Sequence, residues 1–296
     1  MMRKKFWLLL IASLLLTSCG PGQFLGPTLT PTPTLTPTPT YTSTSTPTNT
    51  PTPTATPVPN GPCDNPLLPL GKGNQWIYRV TTSIGESQFS LTSLGIQNGA
   101  NIVAQVEYID QKNNLTITKP VICEDGAIVN YPLFVMNMLF STYLDKYIFV
   151  THLSGDYAPN YQSLIQDNWV LNWQAGYLTE NSAYIRNPLG QADLYIPYNT
   201  QIDLSFILNG LQELVTVPAG NFTQTLKITQ DVSLPVTFTA PGSGSGTGDN
   251  LKISMTQWYE PYIGLVRADI TSASLNGALN LPIESTLELV AFTPGK

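Results

Sequence analysis

The alternation of apolar and polar residues after Pro62 limits what this chain can fold into more than any other feature of its sequence. β-Branched and aromatic residues alternate there with polar ones, and Gly, Asn and Pro interrupt the runs. Successive side chains of a strand point to opposite faces, so the pattern is typical of half-buried antiparallel strands. Within Trp76–Val80 it places Trp76, Tyr78 and Val80 on one face. The predicted strands are Gln75–Ile84, Ser87–Leu94, Ile102–Ile109, Leu115–Cys123, Tyr184–Ile196, Leu211–Val217, Thr223–Thr229, Leu251–Tyr259, Leu265–Ser272 and Ser285–Phe292.

One stretch departs from this alternation. Apolar residues recur every three or four positions over Leu133–Leu144, and Pro132 suits the first turn of a helix. We predict an amphipathic helix there, packed on the sheet by its apolar side. Ser154–Asp167 and Ala240–Asn250 are predicted loops. The fold class expected for residues 63–296 is mainly β (α+β).

Residues 1–18 have the layout of a secretory signal peptide. Three basic residues at positions 3 to 5 precede the apolar run FWLLLIASLLL. As a helix these eleven positions would span only about 17 Å, and a bilayer core is roughly 30 Å thick. The segment is therefore expected to direct export and to be removed.

The residues at the end of this segment predict a lipid anchor. Leu16-Thr17-Ser18-Cys19 resembles the bacterial lipobox, in which the cysteine thiol receives diacylglycerol and becomes the new N-terminus. We predict lipidation of Cys19 and a position on the extracytoplasmic face of the membrane. The alternatives are an ordinary cleaved signal and a short uncleaved anchor.

A Thr/Pro-rich stalk, residues 19–62, follows. No charged residue occurs from Pro21 to Pro62, and alternating Thr and Pro favour extended polyproline II over packed structure. At about 3.1 Å per residue this disordered linker reaches on the order of 130 Å, enough to hold a domain beyond a cell-wall layer. A passive linker of no preferred length is the alternative.

Two cysteines, Cys63 and Cys123, remain in the β-rich domain. Exported cysteines pair when their Cα atoms approach within about 7 Å. We predict a disulfide between them, and two buried free thiols are the alternative.

Three segments together resemble a class of uncharacterised bacterial exported lipoproteins. They are Pro69-Leu70 with GKGNQWIYRV, VPAGNF at 217–222 followed by LKI, and WYEPYIGLVR at 258–267. The resemblance implies a curved antiparallel sheet or half-barrel packed on one or more helices, like the periplasmic lipoprotein-carrier fold. It implies no catalytic residues.

Composition excludes several classes of function. A net charge of −6 and a pI near 4.7 disfavour nucleic-acid binding, which needs a basic surface. No nucleotide-, zinc- or hydrolase-type motif occurs, so we expect neither a cofactor nor a metal site nor an enzyme. His152 is interpreted as a surface or structural residue, and the acidic pair Glu124-Asp125 as a solvated turn.

Aromatic residues are the remaining candidates for a binding site. They would contact a hydrophobic ligand, a glycan or a peptide if they line an open concave face of the sheet. Alternatively, the rings fill the core. The candidate residues are Trp76, Tyr78, Trp169, Trp173, Trp258 and Tyr259.

The function expected from the sequence is that of a membrane-anchored lipoprotein presenting a non-enzymatic binding or interaction domain at the cell surface. One alternative is a carrier or chaperone for a hydrophobic ligand, which requires an apolar cavity of several hundred Å³. The other is a cell-wall polymer hydrolase, which requires two carboxylates in an open groove.

Overall fold

A computed structural model describes residue 63 and residues 65–98, 102–165, 171–186, 193–239 and 248–295. The predicted signal peptide, Cys19, the stalk and Trp169 lie outside these residues. The described part contains fifteen strands, all paired antiparallel in one sheet, and two short helices. The prediction of a mainly β fold with a curved antiparallel sheet is confirmed.

The first five strands form an antiparallel meander. Each pairs with the next along the chain, as alternating strands joined by short turns commonly do. They are β1 (Gln75–Thr82), β2 (Gly85–Asn98), β3 (Ile102–Asp110), β4 (Leu115–Glu124) and β5 (Ala127–Asn130).

The remaining elements begin with a helix that follows the meander. They are α1 (Phe134–Leu139), β6 (Val150–Gly155), α2 (Tyr161–Ile165), β7 (Asn172–Thr179), β8 (Ala183–Ile185), β9 (Asp193–Ile196), β10 (Gln201–Val217), β11 (Gly220–Thr239), β12 (Gly248–Glu260), β13 (Gly264–Leu275), β14 (Leu279–Asn280) and β15 (Ser285–Thr293). The main strand order is β5-β4-β3-β2-β1-β15-β13-β12-β11-β10-β7-β6. β15 therefore joins the two halves of the sheet.

The period-2 pattern of β1 is observed as predicted. Trp76, Tyr78 and Val80 are buried while their neighbours are more exposed. Leu287 of β15 lies opposite Val80 on one side and Ala268 of β13 on the other. All three are fully buried, so the two halves of the sheet share one core.

The two ends of the sheet nearly meet. Ile128 in β5 donates its backbone N–H to Ala158 O at 2.8 Å, just beyond β6, and its carbonyl accepts from Ala158 N at 3.0 Å. Closing a sheet on itself removes the unpaired edges that otherwise invite aggregation. The described sheet is thus nearly closed and barrel-like.

Asn65 fastens this junction from inside. Its side chain is fully buried and donates to Gly126 O at 3.1 Å and to Pro159 O at 3.0 Å, on either side of the junction. Its carbonyl oxygen accepts from Leu67 N at 3.0 Å. A buried amide is tolerated where its hydrogen-bonding capacity is used, as it is here.

The predicted helix Leu133–Leu144 is too long, because α1 ends at Leu139. All six residues of α1 are buried, so this helix has no solvent-facing side and is not amphipathic. Beyond it, Phe140 O accepts backbone hydrogen bonds from the next turn, and Leu144 pairs with Ile185 in β8. Pairing with β8 takes the chain out of the helical path.

Three other predicted segments also differ from the structure. Tyr184–Ile196 is not one strand, because β8 and β9 pair with each other as separate antiparallel strands. The predicted loop Ser154–Asp167 contains the end of β6 and all of α2. Of the predicted loop Ala240–Asn250, the last three residues belong to β12 and the rest lie outside the described residues.

β10 and β11 extend well beyond the predicted strands. In β10 the register shifts around Gly210, and Gln212 has a positive φ of 58°, so a bulge continues the strand where a turn is expected. Pro235 lies inside β11 although proline cannot donate to a ladder. Pro235 lies between Ser233, the last residue of β11 that pairs with β10, and Thr237, the first that pairs with β9. On that side of β11 no neighbouring strand requires a backbone donor from Pro235.

Cys63 and Cys123 are joined by a disulfide, with their Cα atoms 5.2 Å apart. The bond ties the entry of the domain to the end of β4 across 60 positions. In the chain-entropy model a loop of this length stabilises the fold by about 4 kcal/mol.

We expect the Cys63→Ser/Cys123→Ser double variant to lose about 4 kcal/mol of unfolding free energy, measured by guanidinium titration of the full chain. The reason is the greater entropy of its unfolded state. Wild-type protein treated with a reductant should lose a similar amount, which controls for the serine substitutions. A double variant as stable as oxidised wild type would contradict this assignment.

Candidate ligand-binding site

Three of the predicted aromatics lie in the core. Trp76, Tyr78 and Tyr259 are 5%, 2% and 4% exposed. The Tyr78 hydroxyl donates to Leu265 O at 3.0 Å, and the Tyr259 hydroxyl donates to Gln257 Oε1 at 2.6 Å. The cavity beside these three rings measures about 20 Å³, room for roughly one water molecule. Here the rings fill the interior.

The predicted aromatics do not form one surface. Trp258 and Tyr259 are successive residues of β12 and so point to opposite faces of the sheet. Trp258 is partly buried, with Lys227 and Arg267 5.8 and 5.5 Å from its ring centroid. Trp173 stacks on a core phenylalanine of β10 at 5.2 Å. The structure therefore brings together three of the five described candidates.

A cavity of about 300 Å³ lies where β3 turns into β4, beneath the segment that follows α1. We call it the tyrosine pocket. Its volume is at the small end of the range of roughly 300–1,000 Å³ for ligand sites. It is lined by Tyr108, Asp110, Asn113, Leu115, Asn137, Ser141, Leu144, Asp145, Lys146, Tyr147, Phe149 and Asn181.

Two asparagines hold one wall of this pocket, the segment Tyr147–Phe149. Asn137 donates to Ile148 O at 3.0 Å and accepts from Ile148 N at 2.7 Å. Asn181 accepts from Phe149 N at 2.8 Å and donates to Tyr147 O at 3.0 Å. Side-chain amides thus replace a neighbouring strand, and the backbone of the wall is satisfied without one.

Two hydroxyl groups in the pocket have no partner. Among the described residues, five buried side-chain atoms lack a hydrogen bond, and two of the five, Tyr147 Oη and Ser141 Oγ, belong to this one cavity. An unsatisfied buried hydroxyl costs about 1–3 kcal/mol. Both oxygen atoms are buried, so they lie within the wall and not on the open surface of the cavity.

Tyr147 is a hydrogen-bond donor at neutral pH. Burial raises the pKa of its hydroxyl well above the ordinary value, and the nearby Asn137 side chain opposes part of that rise. Asn137 gives both of its amide protons to backbone carbonyls, those of Leu133 and Ile148. Burial likewise raises the pKa of Tyr108, so the tyrosines of the pocket remain neutral.

The charged groups occupy the turn and the mouth. Asp110 is 4% exposed, and its carboxylate accepts hydrogen bonds from Lys112 N, Asn113 N and Asn113 Nδ2, which shape the β3–β4 turn. Asp145 is exposed and accepts a backbone hydrogen bond from β8. Lys146, also exposed, forms no ion pair with any described residue. The pocket therefore has an aromatic floor and a polar rim.

A larger depression of about 650 Å³ crosses the outer face of β6, β7, β10, β11 and β12. The register aligns Gly176, Asp203, Ser233 and Lys252 across neighbouring strands. Asp203 accepts a hydrogen bond from Gln201, and Asp231 accepts one from Ser254. Its outward side chains are polar and most of them are small, and its carboxylates are exposed.

The sequence analysis also considered His152 and the acidic pair Glu124-Asp125. His152 Nε2 is 2.8 Å from Gly155 O, and its ring meets Tyr177 edge-on. Glu124 and Asp125 begin the β4–β5 turn, where Asp125 has a φ of 47°.

Over the described ranges, no cluster of His, Cys, Asp or Glu is arranged to hold a metal ion. Neither α1 nor α2, the helices of the described residues, has the length and apolar character needed to span a membrane.

No protein-family model matches the chain, and no curated protein does. Two crystal structures are similar in fold. "A putative lipoprotein" from Parabacteroides distasonis ATCC 8503 is 16% identical, with a TM-score of 0.46, over 77% of this chain and 99% of that one. "A putative exported protein with YmcC-like fold" from Bacteroides fragilis NCTC 9343 is 14% identical, with a TM-score of 0.45, over 75% and 96%. Likeness of this degree assigns neither a family nor a function.

Two Tyr→Phe variants test whether the Tyr147 hydroxyl is unpartnered. In ligand-free full-length protein we expect Tyr147→Phe to leave the unfolding free energy unchanged or slightly raised, because no hydrogen bond is lost. Tyr177→Phe is the matched control, since its fully buried hydroxyl donates to Tyr131 O at 3.0 Å. That variant should lose about 1–3 kcal/mol. Equal losses in both variants, measured by chemical denaturation, would show that Tyr147 has a protein partner.

Proposed function

We propose that this chain is a lipid-anchored bacterial lipoprotein that presents a non-enzymatic binding domain on the extracytoplasmic side of the membrane, with the tyrosine pocket as its binding site. The observation that carries the proposal is this cavity of about 300 Å³, whose lining combines aromatic rings with amide and charged side chains. Ligand sites typically combine an apolar lining with a few polar groups that fix the orientation of the ligand.

The location is supported by the order of segments in the sequence. A basic and apolar leader, a lipobox-like tetrapeptide ending at Cys19 and an uncharged Thr/Pro tract precede the domain. The disulfide Cys63–Cys123 suits an oxidising compartment outside the cytoplasm. Without the three basic residues of the leader, ten Lys and Arg remain against nineteen Asp and Glu. This acidic balance gives no attraction to anionic lipids, so the acyl chains must hold the protein.

A carrier of long hydrophobic ligands has less support. Such a protein needs an apolar cavity of several hundred Å³, and the space beside the core aromatics is about 20 Å³. The larger tyrosine pocket has asparagine, aspartate and lysine side chains in its lining, which an acyl chain would leave unsatisfied.

A cell-wall polymer hydrolase is the second candidate, and one observation favours it. Asp203 and Asp231 are diagonal neighbours on β10 and β11 in the outer depression. Diagonal positions are about 7–8 Å apart, within the carboxylate spacing of roughly 6.5–9.5 Å in inverting glycosidases. However, both carboxylates are exposed and lie side by side on one face of the sheet. In a glycoside hydrolase the two carboxylates must flank the scissile bond. Turnover of a wall polymer by the purified protein would be the sign of this alternative.

Replacing the lipidated cysteine tests the location. We expect Cys19→Ser to abolish acylation and to release the protein from membranes, because the acyl chains supply most of the attachment free energy. Fractionation and metabolic labelling with a fatty acid measure both effects in cells. Ser18→Ala, which keeps the thiol and a small neighbouring residue, is the control and should stay acylated. Retention of Cys19→Ser in the membrane fraction would contradict the anchor.

Native mass spectrometry of the detergent-solubilised chain tests the binding role. We expect wild type to retain a small molecule that fits about 300 Å³ and Tyr147→Ala to retain less of it, since the variant removes an aromatic ring from the lining. Tyr177→Phe, altered away from the pocket lining, should retain as much as wild type. If wild type shows only the mass of the protein without a bound molecule, even after incubation with cell extract, the result counts against a binding function at this site.

A further inference from the structure

We infer that the outer face of the sheet carries a second binding surface, for an uncharged polysaccharide. It consists of the exposed rings of Tyr184 and Tyr195, which we call the tyrosine pair, and of the outer depression beside them. This surface and the tyrosine pocket are made of different residues. The inference therefore goes beyond the proposed function and does not depend on it.

The tyrosine pair is placed on the outer face by strand alternation. Tyr184 of β8 lies directly opposite Tyr195 of β9, and the ring centroids are 5.0 Å apart. Tyr184 is 38% exposed and Tyr195 is partly exposed. Their strand neighbours point the other way and are fully buried, namely Ala183, Ile185, Leu194 and Ile196. The two rings thus offer apolar surface to solvent.

The outer depression continues the same face along β11. Tyr195 pairs with Thr237 of β11, and Ser233 of β11 pairs with Asp203 on one side and Lys252 on the other. Thr237 and Ser233 point to one face and lie about 14 Å apart along the strand. A ligand longer than one sugar ring can therefore contact the tyrosine pair and the depression together.

The two parts match the two kinds of surface on a sugar chain. A pyranose ring has C–H groups on its faces, which pack on an aromatic ring, and hydroxyl groups around its edge. The depression, of about 650 Å³, presents the side chains of Ser154, Ser205 and Gln174, each able to donate and to accept hydrogen bonds. Its volume lies within the range of ligand sites.

Charge and area favour this occupant over others. The ionisable side chains lining the depression are Asp203, Asp231 and Lys252, a net charge of −1, so an anionic polymer gains no net attraction. A stable protein interface buries about 800 Å² on each partner around an apolar core. Two rings bordered by serine and aspartate side chains do not form such a core.

The test is affinity electrophoresis of full-length protein, in a detergent without a sugar headgroup, through gels that contain a soluble polysaccharide. The uncharged probes are a β-glucan, a mannan and dextran, and polygalacturonate is the anionic probe. We expect at least one uncharged probe to retard wild type. Tyr195→Ala should weaken that retention roughly tenfold, because it removes a stacking ring, whereas Tyr195→Phe should keep most of it.

Leu214→Ala is the matched control. Leu214 is also an exposed apolar side chain, but its neighbour Glu213 pairs with Thr225, about 40 Å along β11 from Thr237. This variant should be retarded like wild type. Tyr195 is varied and not Tyr184, because the backbone of Tyr184 contacts Asp145 at the rim of the tyrosine pocket. Thermal melting of each variant separates lost binding from lost folding.

Four outcomes would overturn the inference. They are no retardation by any uncharged probe, equal retardation of wild type and Tyr195→Ala, stronger retardation by polygalacturonate, and a Tyr195-dependent protein partner in place of a polysaccharide. Tyr147→Ala keeps this result separate from the tyrosine pocket. If Tyr147→Ala loses retention and Tyr195→Ala does not, the sugar binds in the pocket and the outer surface is wrong. If no sugar binds while native mass spectrometry detects a Tyr147-dependent molecule, only the outer surface is wrong.

Discussion

The meeting of the two ends of the sheet, at Ile128 and Ala158, is the constraint on which the rest of the structure depends. A sheet with one apolar face must cover that face and protect its edges, and curling brings both ends together. The hydrogen bonds between Ile128 and Ala158 close most of the gap, and the buried amide of Asn65 fastens its two sides. The disulfide Cys63–Cys123 holds the entry of the domain near the same junction.

Closure decides where a ligand can bind. The interior contains α1 and the rings of β1 and β12, and the cavity left beside those rings is about 20 Å³. Apart from the depression on the outer face, space of ligand size occurs where regular pairing stops, at the segment Tyr147–Phe149 held by Asn137 and Asn181. The side-chain amides of Asn137 and Asn181 satisfy the backbone of this irregular segment. The candidate site is thus a consequence of how the curled sheet ends.

Period-2 alternation predicted the strands that are half-buried and regular, such as β1, and the mainly β class with them. It failed where long-range pairing overrides local signals. Gly210 is accommodated by a bulge within β10, and Pro235 lies where β11 changes partner, so both strands continue through residues that normally end one. The predicted helix is too long because Leu144 follows the helical period in the sequence, whereas in the structure it pairs with Ile185 of β8.

The candidate site could not be predicted from the sequence. Large aromatics were the sequence signal for a ligand surface, yet Trp76, Tyr78 and Tyr259 are core residues. Tyr147 lies beyond the predicted helix Leu133–Leu144, and Ser141 fits no motif. Their importance lies in the partners they lack, and a missing partner is known only once the surrounding chain is placed. Cys19 is the opposite case, since four adjacent residues suffice to predict lipidation and no part of the fold is needed.

A crystal structure of the wild-type domain at a resolution that orders solvent would decide whether this pocket is open. We expect it to be open, with a bound molecule or ordered water against the rings of Tyr147 and Phe149. We also expect Tyr147 Oη and Ser141 Oγ to form no hydrogen bond with a protein atom. A collapsed cavity, with the ring of Tyr147 or Phe149 filling the space, would be the opposite result.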